Sequence, residues 1–196
     1  MAGLNAEYVS DQLFPLFANR ILAKSRPEYD DYLTWLGMSH EKYDSLDELE
    51  QTGGLRATDS LEIFSCPQLT MNQSYELFFF GRGLRHLHAG NPECVAELKP
   101  GDRLYLMQDV QNKHDEQALL LRTDDPVTLV GYAPHYFSAE FSQLLTFGAK
   151  EVKVVVEKVN LDAPLQYRLL CRIVAPWPVN FQPCQTELFE PLATGS

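Results

Sequence analysis

From residue 60 onward the chain changes period, and that change limits what it can fold into. "LEIFSC", "YELFFFG", "GDRLYLMQDV", "QALLLRT", "VTLVGYA", "EVKVVVEKVN" and "QYRLLCRIVA" are short runs rich in β-branched, aromatic and leucine side chains. Between them lie Asn72, Pro100-Gly101, Asn112, Asp124-Asp125-Pro126 and Asp162-Ala163-Pro164, residues that favour turns. One helix interrupts, "PHYFSAEFSQLLTFG", opened by Pro134 and stopped at Gly148. Six or seven short strands around a single main helix predict an α+β chain built on a closed or partly closed antiparallel β-barrel. A parallel sheet would alternate strands with helices.

The preceding segment has helical spacing. Leu13, Leu16, Phe17, Ile21 and Leu22 form one apolar side, with Pro15 in the first turn. Ser25 and Glu28 have the spacing of a capping box for a helix bearing Tyr29, Tyr32, Leu33, Trp35 and Leu36, stopped by Gly37. Ser45 and Glu48 repeat that signal for a short helix ending at Gly53-Gly54. The chain thus divides into a small helical unit over 1–59, a β-barrel over 60–178 and a proline-rich tail over 179–196, expected to run extended over the surface or partly disordered.

Charge narrows the partners. The formal net charge is −11, but residues 1–74 hold 5 basic against 12 acidic side chains, while residues 75–178 hold 11 against 13. Non-specific affinity for nucleic acid comes mainly from cations on phosphate, so an anion site must lie in the near-neutral middle segment. The acidic helical unit suits a protein partner. No run approaches the roughly 18 apolar residues of a membrane span, and "MAGLNAEYVSDQLFPLF" does not read as a secretory signal. Cys66, Cys94, Cys171 and Cys184 have no paired spacing. Reduced cysteines and a cytoplasmic protein are the expectation.

Several chemistries fall away on their motifs. Gly81-Arg82-Gly83 lacks the lysine and third glycine of a phosphate loop and reads instead as a bulge at a strand end. His86 and His88 would face the same side of a strand, and His114 and His135 belong to the same segment. No acidic motif supplies a further metal ligand, and hydrogen-bonding histidines are the simpler reading. No nucleophile motif appears. The chain is expected to be non-enzymatic and to need no cofactor.

What remains is a set of polar residues at strand ends. Arg85 and His86 follow "YELFFFG", His114 and Asp115 follow "LYLMQDV", and Tyr132 and His135 bracket the start of the helix. On an antiparallel barrel these three junctions can meet on one rim. Arginine offers a planar donor fork for phosphate. Histidine and tyrosine rings stack on bases, each contact worth roughly 1–3 kcal/mol. An aspartate beside phosphate is unfavourable, yet it accepts a hydrogen bond from a sugar hydroxyl. The combination suits the end of a strand better than its middle.

At these residues the sequence resembles the HIRAN domain, in the form found in stand-alone bacterial proteins. "GLRHL", "LYLMQDVQNKHDEQALLLR" (with Asn112, Asp115 and Ala118 in place) and "LVGYAPHYFSAEFSQLL" follow the family's three motifs in order. The likeness covers roughly residues 75–175, and the leading helical unit lies outside it. It implies an OB-like barrel that binds single-stranded DNA and prefers a free 3′ end. Carried over by position, Arg85 contacts phosphate, His86 packs on the terminal nucleotide and His114 stacks on a base. Asp115 accepts the 3′-hydroxyl, and Tyr132 and His135 line the backbone side. The sequence departs where histidines replace two family aromatics, at 86 and 114, and where His135 replaces a common cation. These changes lower the expected affinity and tie it to histidine protonation.

With no helicase or nuclease motif present, the expected role is recruitment in DNA repair, replication or defence. The rival is a protein-interaction adaptor whose barrel has lost DNA binding, favoured by the acidic charge and the histidine replacements.

Overall fold

The computed structural model describes residues 8–87, 91–185 and 189. Three short helices lead: α1 (Pro15–Ala18), α2 (Tyr29–Leu36) and α3 (Ser45–Thr52). Strands β1 (Ser74–Phe80), β2 (Arg103–Gln108), β3 (Leu119–Arg122), β4 (Leu129–Tyr132), β5 (Lys153–Val159) and β6 (Leu169–Pro176) follow, with α4 (Asn91–Glu97) after β1 and α5 (Ser138–Gly148) after β4.

All strand pairs are antiparallel, in the order β1-β6-β5-β2-β3-β4. The two ends of that order meet. The Arg82 and Tyr132 amides each donate to the other's carbonyl, at 2.8 and 2.9 Å, joining the chain just past β1 to β4. This single bridge completes a six-stranded ring. Gly131 makes the approach possible: a Cβ there would stand 3.2 Å from the Arg82 carbonyl oxygen. The ring encloses Tyr75, Phe79, Leu104, Leu119, Leu121, Val154, Leu169 and Ile173, and α5 contributes Phe141 and Leu144 to the same core. The expectation of a β-barrel with one main helix therefore holds.

"LEIFSC" is not a strand. Residues 61–66 pair with no strand; the Ile63 amide donates to the Gly53 carbonyl at 2.9 Å, tying the segment to the end of α3. The segment's β-rich side chains instead make a half-buried strap, with Phe64 stacked on Tyr136 at 4.4 Å between ring centroids. The reading of a single helix among the strands also missed α4, which buries Val95.

The leading unit departs from its expected caps. α1 is one turn only; beyond it Arg20 donates to the Gly54 carbonyl at 2.8 Å and to Asp59 at 2.7 Å, contacts that leave the helical path. α2 starts at Tyr29 without a capping side chain, so Ser25 makes no box. α3 is capped one residue early, by Asp44, which accepts the Leu46 amide at 2.7 Å; aspartate caps as well as serine and adds charge that suits the helix dipole. Gly37 and Gly53 end their helices in left-handed conformations, as expected. Glu48 centres the unit. Fully buried, it accepts from the Leu22 amide and from the Tyr32 and Tyr43 hydroxyls at 2.9, 2.9 and 2.6 Å. Tyr32, Leu36, Phe80 and Leu170 form the apolar seam between this unit and the barrel.

The expectation of reduced cysteines holds for Cys94 and Cys171, which are free, and is overturned for Cys66 and Cys184, which form a disulfide across 118 residues of sequence. Spacing gives no hint of it, because the tail returns beside the strap only in three dimensions. It also removes one support for a cytoplasmic location, since structural disulfides persist mainly in oxidising compartments. Over its described residues, 179–185 and 189, the tail is not loosely extended either; the rest of 179–196 lies outside the described residues. Phe181 enters the core beside Tyr75 and Trp177, and Glu140 accepts the Cys184 amide at 2.7 Å. Among the described residues no helix is long and apolar enough to cross a membrane.

Candidate nucleic-acid interface

The loop between β2 and β3 builds itself from its own side chains. Asn112 Oδ1 accepts the amides of His114 and Asp115 at 2.9 and 3.1 Å. Asp115 Oδ1 accepts the Gln117 amide at 2.9 Å, and Asp109 Oδ1 accepts the Gln111 amide at 3.2 Å. Such local bonds fix a loop without a strand ladder. One more bond ties the loop down: Ser138 Oγ, in the first turn of α5, donates to Asp115 Oδ2 at 3.1 Å. A carboxylate offers about four acceptor positions, so Asp115 keeps capacity for a further donor.

Opposite this loop stands the barrel-closing bridge. Gly83 is left-handed (φ 70°), and a Cβ there would lie 2.9 Å from the Tyr132 ring. The ring can lie against the chain at this point only because residue 83 is glycine. Its hydroxyl donates to Asp109 Oδ2 at 2.8 Å, and burial together with that carboxylate raises its pKa. The Tyr132 oxygen therefore acts as a committed donor within the protein.

Between loop and bridge opens a cleft of about 530 Å³. His86, His114, Asp115, Tyr132 and His135 all line it. The three strand-end junctions do meet. Arg85 is not in the wall; it is exposed beside it, and its Nε donates to His86 Nε2 at 3.0 Å. That bond makes His86 Nε2 an acceptor. The His114 ring is exposed and makes no hydrogen bond among the described residues. His88 lies outside the described residues, and among those described no group of three or more His, Cys, Asp or Glu side chains is placed to hold a metal ion.

Four participants were missed from sequence. Asn112 and Ala118 belong to the quoted loop motif, but only as its frame; both line the cleft. Arg82, set aside with its flanking glycines, is a wall residue whose Nη2 donates to the Thr52 carbonyl at 3.1 Å, while Nε and Nη1 are buried without hydrogen-bond partners among the described residues. It lies beside the buried Tyr136, whose pKa burial raises and the Arg82 charge pulls back. Glu62, from the strap, also reaches into the cleft. Its Oε2 stands 3.3 Å from His135 Nδ1, close enough to pair by charge although not aligned as a hydrogen bond. No signal in the sequence pairs residue 62 with residue 135.

The sequence pattern of the HIRAN domain family matches residues 74–178, more than half of the chain. The chain belongs to the HIRAN family. Two solved structures are similar to it. One is a protein from Lactobacillus plantarum, 15% identical, the match covering 52% of this chain and 96% of that one with a TM-score of 0.41. The other is the HIRAN domain of human HLTF, 13% identical over 54% of this chain and 81% of that one, TM-score 0.40. No curated protein matches the chain. The HIRAN region thus runs from the first residue of β1 to just past Trp177; from outside that region Glu62 reaches its cleft and the Thr52 carbonyl holds the wall residue Arg82.

Proposed function

We propose that this chain is a non-enzymatic nucleic-acid-binding module that takes the free 3′ end of single-stranded DNA into the cleft. Membership of the HIRAN family supports nucleic-acid binding as the general class of function. The observation that carries the finer reading is the union of His86, His114, Asp115 and Tyr132 in one cleft, with Asp115 holding unused acceptor capacity. Asp115 accepts the 3′-hydroxyl, the His114 ring stacks on a base and His86 packs on the terminal nucleotide. Arg85 meets a phosphate from the rim, and Tyr132 and His135 flank the backbone. Recruitment of repair, replication or defence machinery follows from a module that holds an end and does no chemistry on it.

The test is a fluorescence titration with matched oligonucleotides ending in a 3′-hydroxyl or a 3′-phosphate. The hydroxyl form is expected to bind at least tenfold more tightly, and equal affinities would remove the role of Asp115. One observation favours the adaptor reading: with its histidines neutral, the cleft wall carries Glu62 and Asp115 against the single guanidinium of Arg82. If no oligonucleotide binds at low salt, with either wild type or Glu62→Gln, the adaptor reading replaces the first.

A further inference from the structure

A second opening on the same barrel has the opposite character. Pairing of β2 with β5 is limited to Arg103↔Val155 and Leu104↔Val154. Beyond that point a groove of about 390 Å³ opens between β2, Arg122 of β3, and the C-terminal half of α5. Arg103 and Arg122 both reach the Tyr105 ring, their guanidinium carbons 5.3 and 4.9 Å from its centroid. The exposed Lys150 adds a third cation, and among the described residues no Asp or Glu lines the groove. In a chain of net charge −11, two guanidinium groups on an aromatic ring and a third cation in the same groove, with no carboxylate among the described lining residues, form a local exception.

The groove and the cleft share a face. Paired residues of antiparallel strands point the same way, as do alternate residues of one strand. Tyr132 pairs with Leu120, Leu120 with Met107, and Arg122 with Tyr105. Tyr132, Leu120, Met107, Tyr105, Arg122 and Arg103 therefore lie along one surface of β2–β3–β4. From strand spacing and rise, Tyr105 stands about 12 Å from Tyr132 along it. Arg103 is anchored through Nη2 to the Val152 carbonyl at 2.8 Å and Arg122 through Nη1 to the Thr123 carbonyl at 2.8 Å. Each keeps further donors.

We propose that this groove is a second contact for single-stranded nucleic acid, gripping the part of the strand that leads away from the cleft. Arg122, Arg103 and Lys150 meet phosphates, and the Tyr105 ring, or a guanidinium plane beside it, offers a face to a base. Charge complementarity selects the occupant. This inference rests on the reading of the cleft as an end-binding site.

Strand length separates the two. An oligonucleotide of about 3 nucleotides falls below, and one of about 10 falls within, the roughly 4–16-nucleotide sites of single barrels of this kind. With a 3′-hydroxyl on both, the longer strand is expected to bind at least tenfold more tightly and with a steeper salt dependence. Arg122→Gln and Lys150→Gln are each expected to lower the long-strand slope of log K against log salt by about 0.7, the share of one phosphate on a single strand. Neither should change binding of the short strand, and Arg122→Lys should restore the slope. Tyr105→Leu is expected to weaken the long strand alone. Circular dichroism checks that each variant is folded.

If both lengths bind equally, or the salt slope ignores Arg122 and Lys150, the groove is no nucleic-acid contact and the cleft reading stands. If the long strand depends on the groove but 3′ chemistry has no effect, the cleft reading fails and the groove survives. If neither strand binds, both fail. A polyglutamate peptide binding as tightly as the long strand, with Tyr105→Leu without effect, would overturn the assignment in favour of an acidic polypeptide.

Discussion

The cleft and the groove sit on one face of one barrel and solve different problems. The cleft is built from short polar side chains that mostly bond to each other: Asn112 and Asp115 within their loop, Tyr132 to Asp109, Glu62 beside His135. The groove has cations whose anchors are backbone carbonyls, leaving their charge uncancelled by any lining carboxylate. The first arrangement can discriminate between ends by hydrogen bonding, with little net charge to draw them in. The second can draw a polyanion without reading it. A net charge far on the acidic side is therefore compatible with binding nucleic acid, provided the opposite charges are segregated.

The largest expected effect breaks the cleft at its centre. Asp115→Ala removes the hydroxyl acceptor and the tether to Ser138 together; a hydrogen bond to a charged group is worth about 1.5–3 kcal/mol. Affinity for a 3′-hydroxyl strand should fall at least tenfold, with preference over the 3′-phosphate abolished. Ser138→Ala separates the two roles, since it loses the tether but should keep the preference. If Ser138→Ala abolishes the preference as well, Asp115 acts only through loop geometry.

Gly83→Ala tests whether the cleft depends on the barrel's closing bridge. A Cβ would collide with the Tyr132 ring at a backbone conformation that L side chains rarely adopt, at a cost of about 1–3 kcal/mol. A drop in urea midpoint, with loss of short-strand binding, is expected; unchanged stability would mean the ring moves aside freely.

Glu62→Gln sharpens the comparison in the other direction. Removing the strap's carboxylate leaves His135 free and should raise affinity for short strands severalfold, a gain that salt diminishes. An unchanged affinity would show that Glu62 does not oppose the strand.

What could be read from sequence follows how local the physics is. The six barrel strands, and the loop holding His114 and Asp115, rest on alternation and on side chains bonding amides two or three residues away, so quoted motifs located them. Gly37 and Gly53 ended helices for the same reason. Contacts set by the return of distant segments were hidden. Arg20 left its helix to reach Gly54 and Asp59, and within "LEIFSC" the Ile63 amide bonds to the Gly53 carbonyl rather than to a strand. Arg82 was discarded with a failed motif although its position beside the bridge makes it a wall of the cleft. The Arg103–Tyr105–Arg122 cluster was equally invisible, because strand register, not spacing, brings residue 122 to residue 105.

The Cys66–Cys184 bond joins a residue ahead of β1 to one beyond β6, so the whole HIRAN region lies inside a covalent circle. Cutting the chain at the family boundaries would open that circle and discard Glu62 with it. An excised barrel would then present an unguarded cleft, and its affinity would report a different molecule from the intact chain. The fragment a biochemist would choose for convenience is the one expected to overstate the affinity of the intact chain for nucleic acid.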